Sequence, residues 1–209
     1  MPEIKLTYFD MRGRAEASRL ALVVGEIPFE DERVVFDHWK EAKPKTPYAA
    51  LPMLTVDGMQ VAQSDAILRY CGKLAGLYPS DPLEAAKVDE VGGVIDDVTH
   101  AMYRYRGDDK DKLREERDKF SKVDVPRYVG ALEKRLEAFG DGPWAVGGNM
   151  TIADLHICHL VTNIRCGMLD FVDKDLLEGY VRIVKSYSAV MEHPKVTEWY
   201  EKKPVKMFS

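Results

Sequence analysis

Ile4-Lys5-Leu6-Thr7-Tyr8-Phe9-Asp10-Met11-Arg12-Gly13-Arg14-Ala15-Glu16, continuing Ala17-Ser18-Arg19-Leu20-Ala21-Leu22-Val23-Val24, changes its period halfway. Residues 4–8 alternate and are β-prone, so they read as a strand. Gly13 marks a turn. Beyond it Ala17, Leu20, Ala21 and Val24 share one helical face, and Gly25 stops the helix. A strand that ends in Tyr8 and feeds a helix opened by Arg14 aims a phenol and a positive helix end at one spot, which suits an anion. An aromatic strand end followed by surface arginines is the plainer reading of the same residues.

The pattern extends outward from this unit. Residues 29–36 alternate again, and a short polar helical piece is expected at 38–43. Met53 to Val56, then Asp57-Gly58, then Met59 to Val61 reads as a hairpin, because Asp-Gly supplies the positive φ angles of a tight turn. Ser64 is expected to cap a helix running to Leu74. Tyr78-Pro79-Ser80-Asp81-Pro82 breaks helical periodicity and is the clear linker. After it helices are expected at 83–106, 111–138, 151–167, 174–192 and 194–202, with Pro126 kinking the second. The fold class is therefore α/β plus all-α: a βαβ-α-ββα domain over 1–77 and an all-helical domain over 83–209.

The 209 residues carry 30 Lys+Arg against 35 Asp+Glu, a net charge of −5. Residues 1–78 hold 10 basic and 11 acidic side chains, leaving 20 and 24 beyond, so neither part has the basic stripe that nucleic-acid binding needs. No run approaches the roughly 18 apolar residues of a membrane span. The N-terminus does not read as a secretory signal, and Cys71, Cys158 and Cys166 are too few and scattered for a disulfide framework; a reducing, cytoplasmic setting is expected. The phosphate-loop, dinucleotide, zinc-protease, dithiol and hydrolase-elbow motifs are all missing. His156 and His159 stand i, i+3 without a third ligand nearby, so packed or capped histidines are expected and no metal.

Two further segments carry candidate chemistry. Leu51-Pro52 enters the hairpin, and a cis bond there would offer the Leu51 backbone groups to an extended peptide. Gln63-Ser64 presents amides and a hydroxyl at a second helix start, which suits a carboxylate, although a plain cap explains it equally. Tyr…Arg, then x-Pro before a strand, then Gln-Ser at a helix start, is an order that resembles the cytosolic glutathione transferases along the whole chain. Tyr8-Phe9-Asp10-Met11-Arg12-Gly13-Arg14-Ala15-Glu16 looks like the sigma class, which includes glutathione-dependent prostaglandin D synthases and squid lens crystallins. Asn149 to Asp154 looks like the family's N-capping box and hydrophobic staple, in which Thr151 and Asp154 are structural.

The resemblance implies a thioredoxin-like first domain and assigns roles by position. Tyr8 matches the tyrosine that hydrogen-bonds the glutathione sulfur, and Arg14 the arginine beside it; these are the expected catalytic residues. Trp39 and Lys43 match residues that hold the glycine carboxylate. Leu51, before Pro52, matches the residue whose backbone pairs with the cysteinyl unit, and Gln63 and Ser64 the γ-glutamyl carboxylate site. Asp97 matches an aspartate reaching glutathione bound to a neighbouring subunit, which implies a homodimer. Taken alone, Trp39 with Lys43 is an ordinary cation–aromatic pair and Asp96-Asp97 a solvated face. The expected electrophile pocket is Phe9, Met11, Met102, Tyr105, Cys158 and Phe208, residues a core would use equally.

Two departures stand out. Ala50 occupies a position where related proteins have Gln or Lys, and Gly93 one where some carry a metal-binding aspartate. The implied activity is conjugation of glutathione, a co-substrate, to hydrophobic electrophiles. The alternatives are a glutathione-dependent prostaglandin or lipid peroxide isomerase or peroxidase, and a non-enzymatic crystallin-like protein. Tyr48 reads either as a key inserted into a partner subunit or as a local packing residue.

Overall fold

The computed structural model describes residues 2–203. These form two compact units: Met1–Pro79 joined by the C-terminal segment from Glu192, and Ser80–Met191. The C-terminal helix α9 (Pro194–Lys202) thus belongs with the first unit and not with the helical run that precedes it in sequence. Lys195 binds the Val24 carbonyl and Glu26, Trp199 lies against Phe29, and Tyr200 lies under the Arg12 guanidinium.

In the first unit β1 (Ile4–Phe9), β2 (Glu30–Val34), β3 (Met53–Val56) and β4 (Met59–Ala62) form one sheet in the order β2-β1-β3-β4. β2 is parallel to β1, with Tyr8 opposite Arg33; β3 is antiparallel to β1, with Leu6 opposite Leu54. The β3–β4 turn is the two-residue Asp57-Gly58, with φ of 47° and 84°, as a tight hairpin of that composition requires. The helix α1 (Glu16–Val24) connects β1 to β2, and α3 (Ser64–Leu74) follows the hairpin. Leu20 and Leu22 of α1 and Ile67 and Leu68 of α3 are buried with Leu6 and Leu54 of the sheet. Helix α2 (Phe36–Ala42) buries none of its side chains and runs into a 3-10 turn, Lys43–Lys45.

The second unit is helical: α4 (Pro82–Met102), α5 (Lys110–Lys119), α6 (Val125–Phe139), α7 (Ile152–Arg165) and α8 (Val181–Met191). Asp81 caps α4 by accepting from the Leu83 and Glu84 amides, with Pro82 at the first helical position, where its missing N–H costs nothing. Just before Pro126 a π-helical turn, Phe120–Asp124, joins α5 to α6.

Two helix boundaries differ from expectation. Helix α4 stops at Met102, whose carbonyl is taken by the buried Arg117 guanidinium. Helix α8 starts at Val181 rather than near 174, because an Asp173 side-chain turn and Gly179 hold the preceding residues in turns. Thr151 and Asp154 form the expected capping box on α7. The Asp154 carboxylate also accepts from Ala145 N–H at 2.7 Å and Ser186 Oγ at 2.8 Å, so it ties three segments together.

Candidate active site

Tyr8 is 6% exposed, and its hydroxyl oxygen accepts a hydrogen bond from the Arg14 amide at 3.1 Å. Two local features set this contact. Gly13 has φ of +43°, and a Cβ there would lie 2.6 Å from the Tyr8 Oη, so only glycine lets the chain turn this closely over the phenol. The 3-10 turn Gly13–Ala15 then starts the helix and turns the Arg14 N–H toward the strand end. Burial pushes the Tyr8 pKa up, and it is opposed by the Arg14 amide and by the charges of Arg14 and Arg19. The net effect is upward, so at neutral pH Tyr8 is a neutral phenol whose O–H proton remains available to donate.

Arg14, Leu51, Pro52, Gln63 and Ser64 line one cavity of about 80 Å³, together with Tyr48, Ala50 and Ala62. The Leu51–Pro52 bond is cis, and Pro52 is buried. The N-cap of α3 is Gln63, not Ser64. Gln63 has φ of +75° and ψ of 118°, and Ser64 is the first helical residue, so the Ser64 N–H and hydroxyl stand at the helix start itself. A non-glycine residue in that backbone region costs about 1–3 kcal/mol, a strain often found at ligand sites. Nothing in the composition of 61–67 signals this strain, whereas the Gly13 turn is visible in the sequence.

Leu51 also borders a second cavity of about 600 Å³, lined by Trp39, His38, Ala42 and Lys45 on the α2 side and by Thr7, Glu32, Met53 and Gln60 on the strands. Leu51 therefore sits between a small polar recess at the start of α3 and a larger, mostly apolar space at Trp39. Lys43 is exposed in the 3-10 turn after α2 and lines neither cavity. Asp97 is exposed on α4, in the second unit.

Five of the six expected electrophile-pocket residues are described, and they divide between the units. Phe9 is half-buried, stacked on Phe36 at 4.6 Å and edge-on to Trp39 at 5.4 Å, and Met11 is buried. Met102 and Cys158 are each 2% exposed, which makes them core side chains of the second unit, and Cys158 touches the Met191 sulfur. The Tyr105 hydroxyl accepts from the Asp109 amide at 3.2 Å. Phe208 lies outside the described residues.

Cys71 is held as a thiol. Burial pushes the Cys71 thiol up to about 12, against a local backbone hydrogen bond, and Cys166 donates to the Asn163 carbonyl. His159 pairs with Asn163 at 3.0 Å, and His156 packs on Gly92. Among the described residues no three His, Cys, Asp or Glu side chains cluster closely enough to hold a metal ion. Among the same residues no helix is long and apolar enough to cross a membrane.

A four-stranded mixed sheet entered through a cis-proline, with a helix start on either side of its central strands, defines a thioredoxin-like domain followed by a helical one. The family comparisons agree. Residues 4–73 match the glutathione S-transferase N-terminal domain, and 96–203 the glutathione S-transferase C-terminal domain. Glutathione S-transferase 1 of Ascaris suum is 35% identical over 98% of both chains. Hematopoietic prostaglandin D synthase of Gallus gallus is 33% identical, again over 98% of each. Among solved structures, prostaglandin synthase D of Nilaparvata lugens superimposes with a TM-score of 0.85 at 30% identity, covering 98% of this chain and 100% of that one. The chain belongs to the glutathione S-transferase family and is a glutathione-dependent enzyme.

Proposed function

We propose that the enzyme binds glutathione across the two cavities that meet at Leu51 and activates its thiol through Tyr8. The observation that carries this reading is the Tyr8–Arg14 contact: a buried, neutral phenol fixed at 3.1 Å from a helix-start amide, with Arg14 itself on the wall of the Gln63–Ser64 recess. In this reading the γ-glutamyl carboxylate sits at Gln63 and Ser64, the cysteinyl unit pairs with the Leu51 backbone, and the glycine end runs toward Trp39. Lys43 is exposed beyond that end, and Ala50 offers no side-chain hydrogen bond to the tripeptide.

A free thiol has a pKa of about 8.5, so only about 3% is thiolate at pH 7. Lowering it by two units stabilises the anion by about 2.7 kcal/mol and makes it the main species. The Tyr8 O–H donates to the sulfur, and the Arg14 charge raises the local potential. The thiolate lone pair then forms a carbon–sulfur bond with a hydrophobic electrophile, whose leaving group departs with the displaced electron pair. Phe9 and Met11 are the first-unit side chains that such an electrophile would meet. The assignment is to a sigma-like, cytoplasmic homodimer, with Asp97 completing the partner's site.

The test is the ultraviolet absorbance of the protein–glutathione complex against pH. Thiolate should appear well below the free-thiol pKa in the wild type and return toward it in Tyr8→Phe. An unshifted thiol in the wild-type complex sinks the reading of Tyr8 as the activating group. The likeness over nearly the full chain to proteins named prostaglandin D synthase supports a second activity, isomerisation of a lipid endoperoxide with glutathione. Product analysis with a prostaglandin endoperoxide decides that point.

A further inference from the structure

We infer that Arg19 is a positioning residue for the reaction: from the buried side of α1 it holds the 9–12 loop in the shape that fixes Tyr8 against Arg14. This deepens the Tyr8 reading and rests on it. Arg19 is completely buried, which is rare for an arginine unless every donor is engaged. Its Nη1 donates to the Met11 carbonyl at 2.7 Å and to Glu16 at 3.1 Å, with the Arg12 carbonyl at 3.4 Å. Its Nη2 faces the Phe9 carbonyl at 3.5 Å, and its Nε donates to Asp31 at 2.9 Å. Three carbonyls of the loop between Tyr8 and Gly13 therefore converge on one planar cation. A lysine has a single point of charge and cannot serve them together.

The guanidinium also lies 5.8 Å from the centre of the Tyr8 ring, so its charge reaches the phenol without touching a substrate. The charged groups around it come from every neighbouring element. Glu16 is on its own helix, Asp31 and Arg33 are on β2, and Asp10 is in the loop. Lys203, after α9, lies 3.6 Å from Asp31. Asp31 is the anchor. It is 2% exposed in its side chain and is held from the other side by Arg33. The donors that this anchor leaves over are satisfied by the carbonyls of the 9–12 loop, so the ion pair and the loop shape are coupled.

The experiment uses the full-length enzyme with glutathione and reads the thiolate titration, kcat/KM and thermal stability together. Arg19→Lys keeps the charge and removes the fork; Asp31→Glu keeps all charges and shifts the anchor by one methylene. Asp154→Asn, in the second unit, serves as a variant that weakens the fold alone. Arg19→Lys should raise the bound-thiol pKa by about half a unit or more, and Asp31→Glu should raise it less. For Arg19→Lys kcat/KM should fall about three- to tenfold with KM for glutathione within about twofold. Asp154→Asn should lower the melting temperature and leave the thiol pKa in place.

If Arg19→Lys does not fold, Asp31→Glu decides. The proposal is overturned if the folded variants only lower the melting temperature and leave the thiol pKa where the wild type has it. The Tyr8 reading fails separately, in the wild-type and Tyr8→Phe pair, before either variant is considered.

Discussion

Replacing Gly13 with alanine tests whether the Tyr8–Arg14 geometry governs the chemistry. Two costs follow from the structure. An L residue at φ of +43° pays about 1–2 kcal/mol for the left-handed backbone. The new Cβ would also lie 2.6 Å from the Tyr8 hydroxyl and 2.8 Å from its Cε1, where ordinary contact begins at 3.4 Å. Something must therefore move by about 0.8 Å, and the 6%-exposed ring has little room to do so alone. The movement falls on the Arg14 amide bond and on the direction of the phenol. Misplacement on the order of 1 Å can cost a factor of about 100 in rate. We expect kcat/KM with an activated chloroarene to fall about 10- to 100-fold, with the bound-thiol pKa rising. The melting temperature should drop by about 2–8 °C, as follows for a chain of this length. In a Tyr8→Phe background the same change should cost much less activity, because the hydroxyl it displaces is already gone. Retention of wild-type kcat/KM and thiol pKa in the single variant would refute the argument.

Other substitutions separate fold from function. Gln63→Gly relieves the φ of +75°, so the protein should gain about 1 kcal/mol in denaturant unfolding while KM for glutathione rises. Ala50→Gln adds a hydrogen-bonding side chain to the wall of the small cavity, and calorimetry should give about two- to tenfold tighter glutathione binding. Asp31 provides the pH test. Burial would raise its pKa, but the Arg19 charge and the hydrogen bonds from Arg33 and Arg19 outweigh this and hold it below the ordinary carboxylate value. A lowered folded pKa gives stability that is complete above the unfolded value near 4 and is lost as pH falls through the folded one. Asp31→Asn should therefore cost about 3–5 kcal/mol at pH 7 and flatten the acid limb below pH 4 in urea titrations.

Much of the candidate site was readable because it is written in backbone chemistry. Gly13 after a β-prone run, Asp57-Gly58 between two short strands, and a proline at a strand entry each restrict a few torsions, and the restriction shows in the residue type itself. Residues that act through tertiary contacts leave no such trace. Arg19 lies between Ser18 and Leu20 on a helix buried nearly all round, and its partners are Asp31 on the next strand and loop carbonyls seven or eight residues upstream. Ser64 looked like the cap of α3 because serine is a good one. Gln63 holds that position through a strained φ that no propensity scale would assign to glutamine. Helix α9 continues the helical pattern of the second half, yet it groups with the first unit through Lys195, Trp199 and Tyr200.

The same distinction explains why the glutathione side is better defined than the electrophile side. Glutathione carries fixed charges, so its recognition needs amides, hydroxyls and a guanidinium at particular torsions, and sequence constrains torsions. A hydrophobic electrophile needs only apolar surface, which core-forming helices carry whatever their role, and pockets of that kind discriminate weakly per contact. Met102 and Cys158 met the compositional criterion and are core, at 2% exposure each. Tyr105 met it too, and its hydroxyl is engaged by the Asp109 amide. Because kcat/KM depends on both sides, substitutions at Gly13, Arg19 or Tyr8 should scale activity by a common factor across electrophiles, since they act on the thiolate. Changes at Phe9 or Met11 should reorder electrophiles and leave the thiol pKa alone. A Phe9→Ala variant that moved the thiol pKa as far as Gly13→Ala would break this division, because the apolar wall would then be part of the thiol-activating machinery.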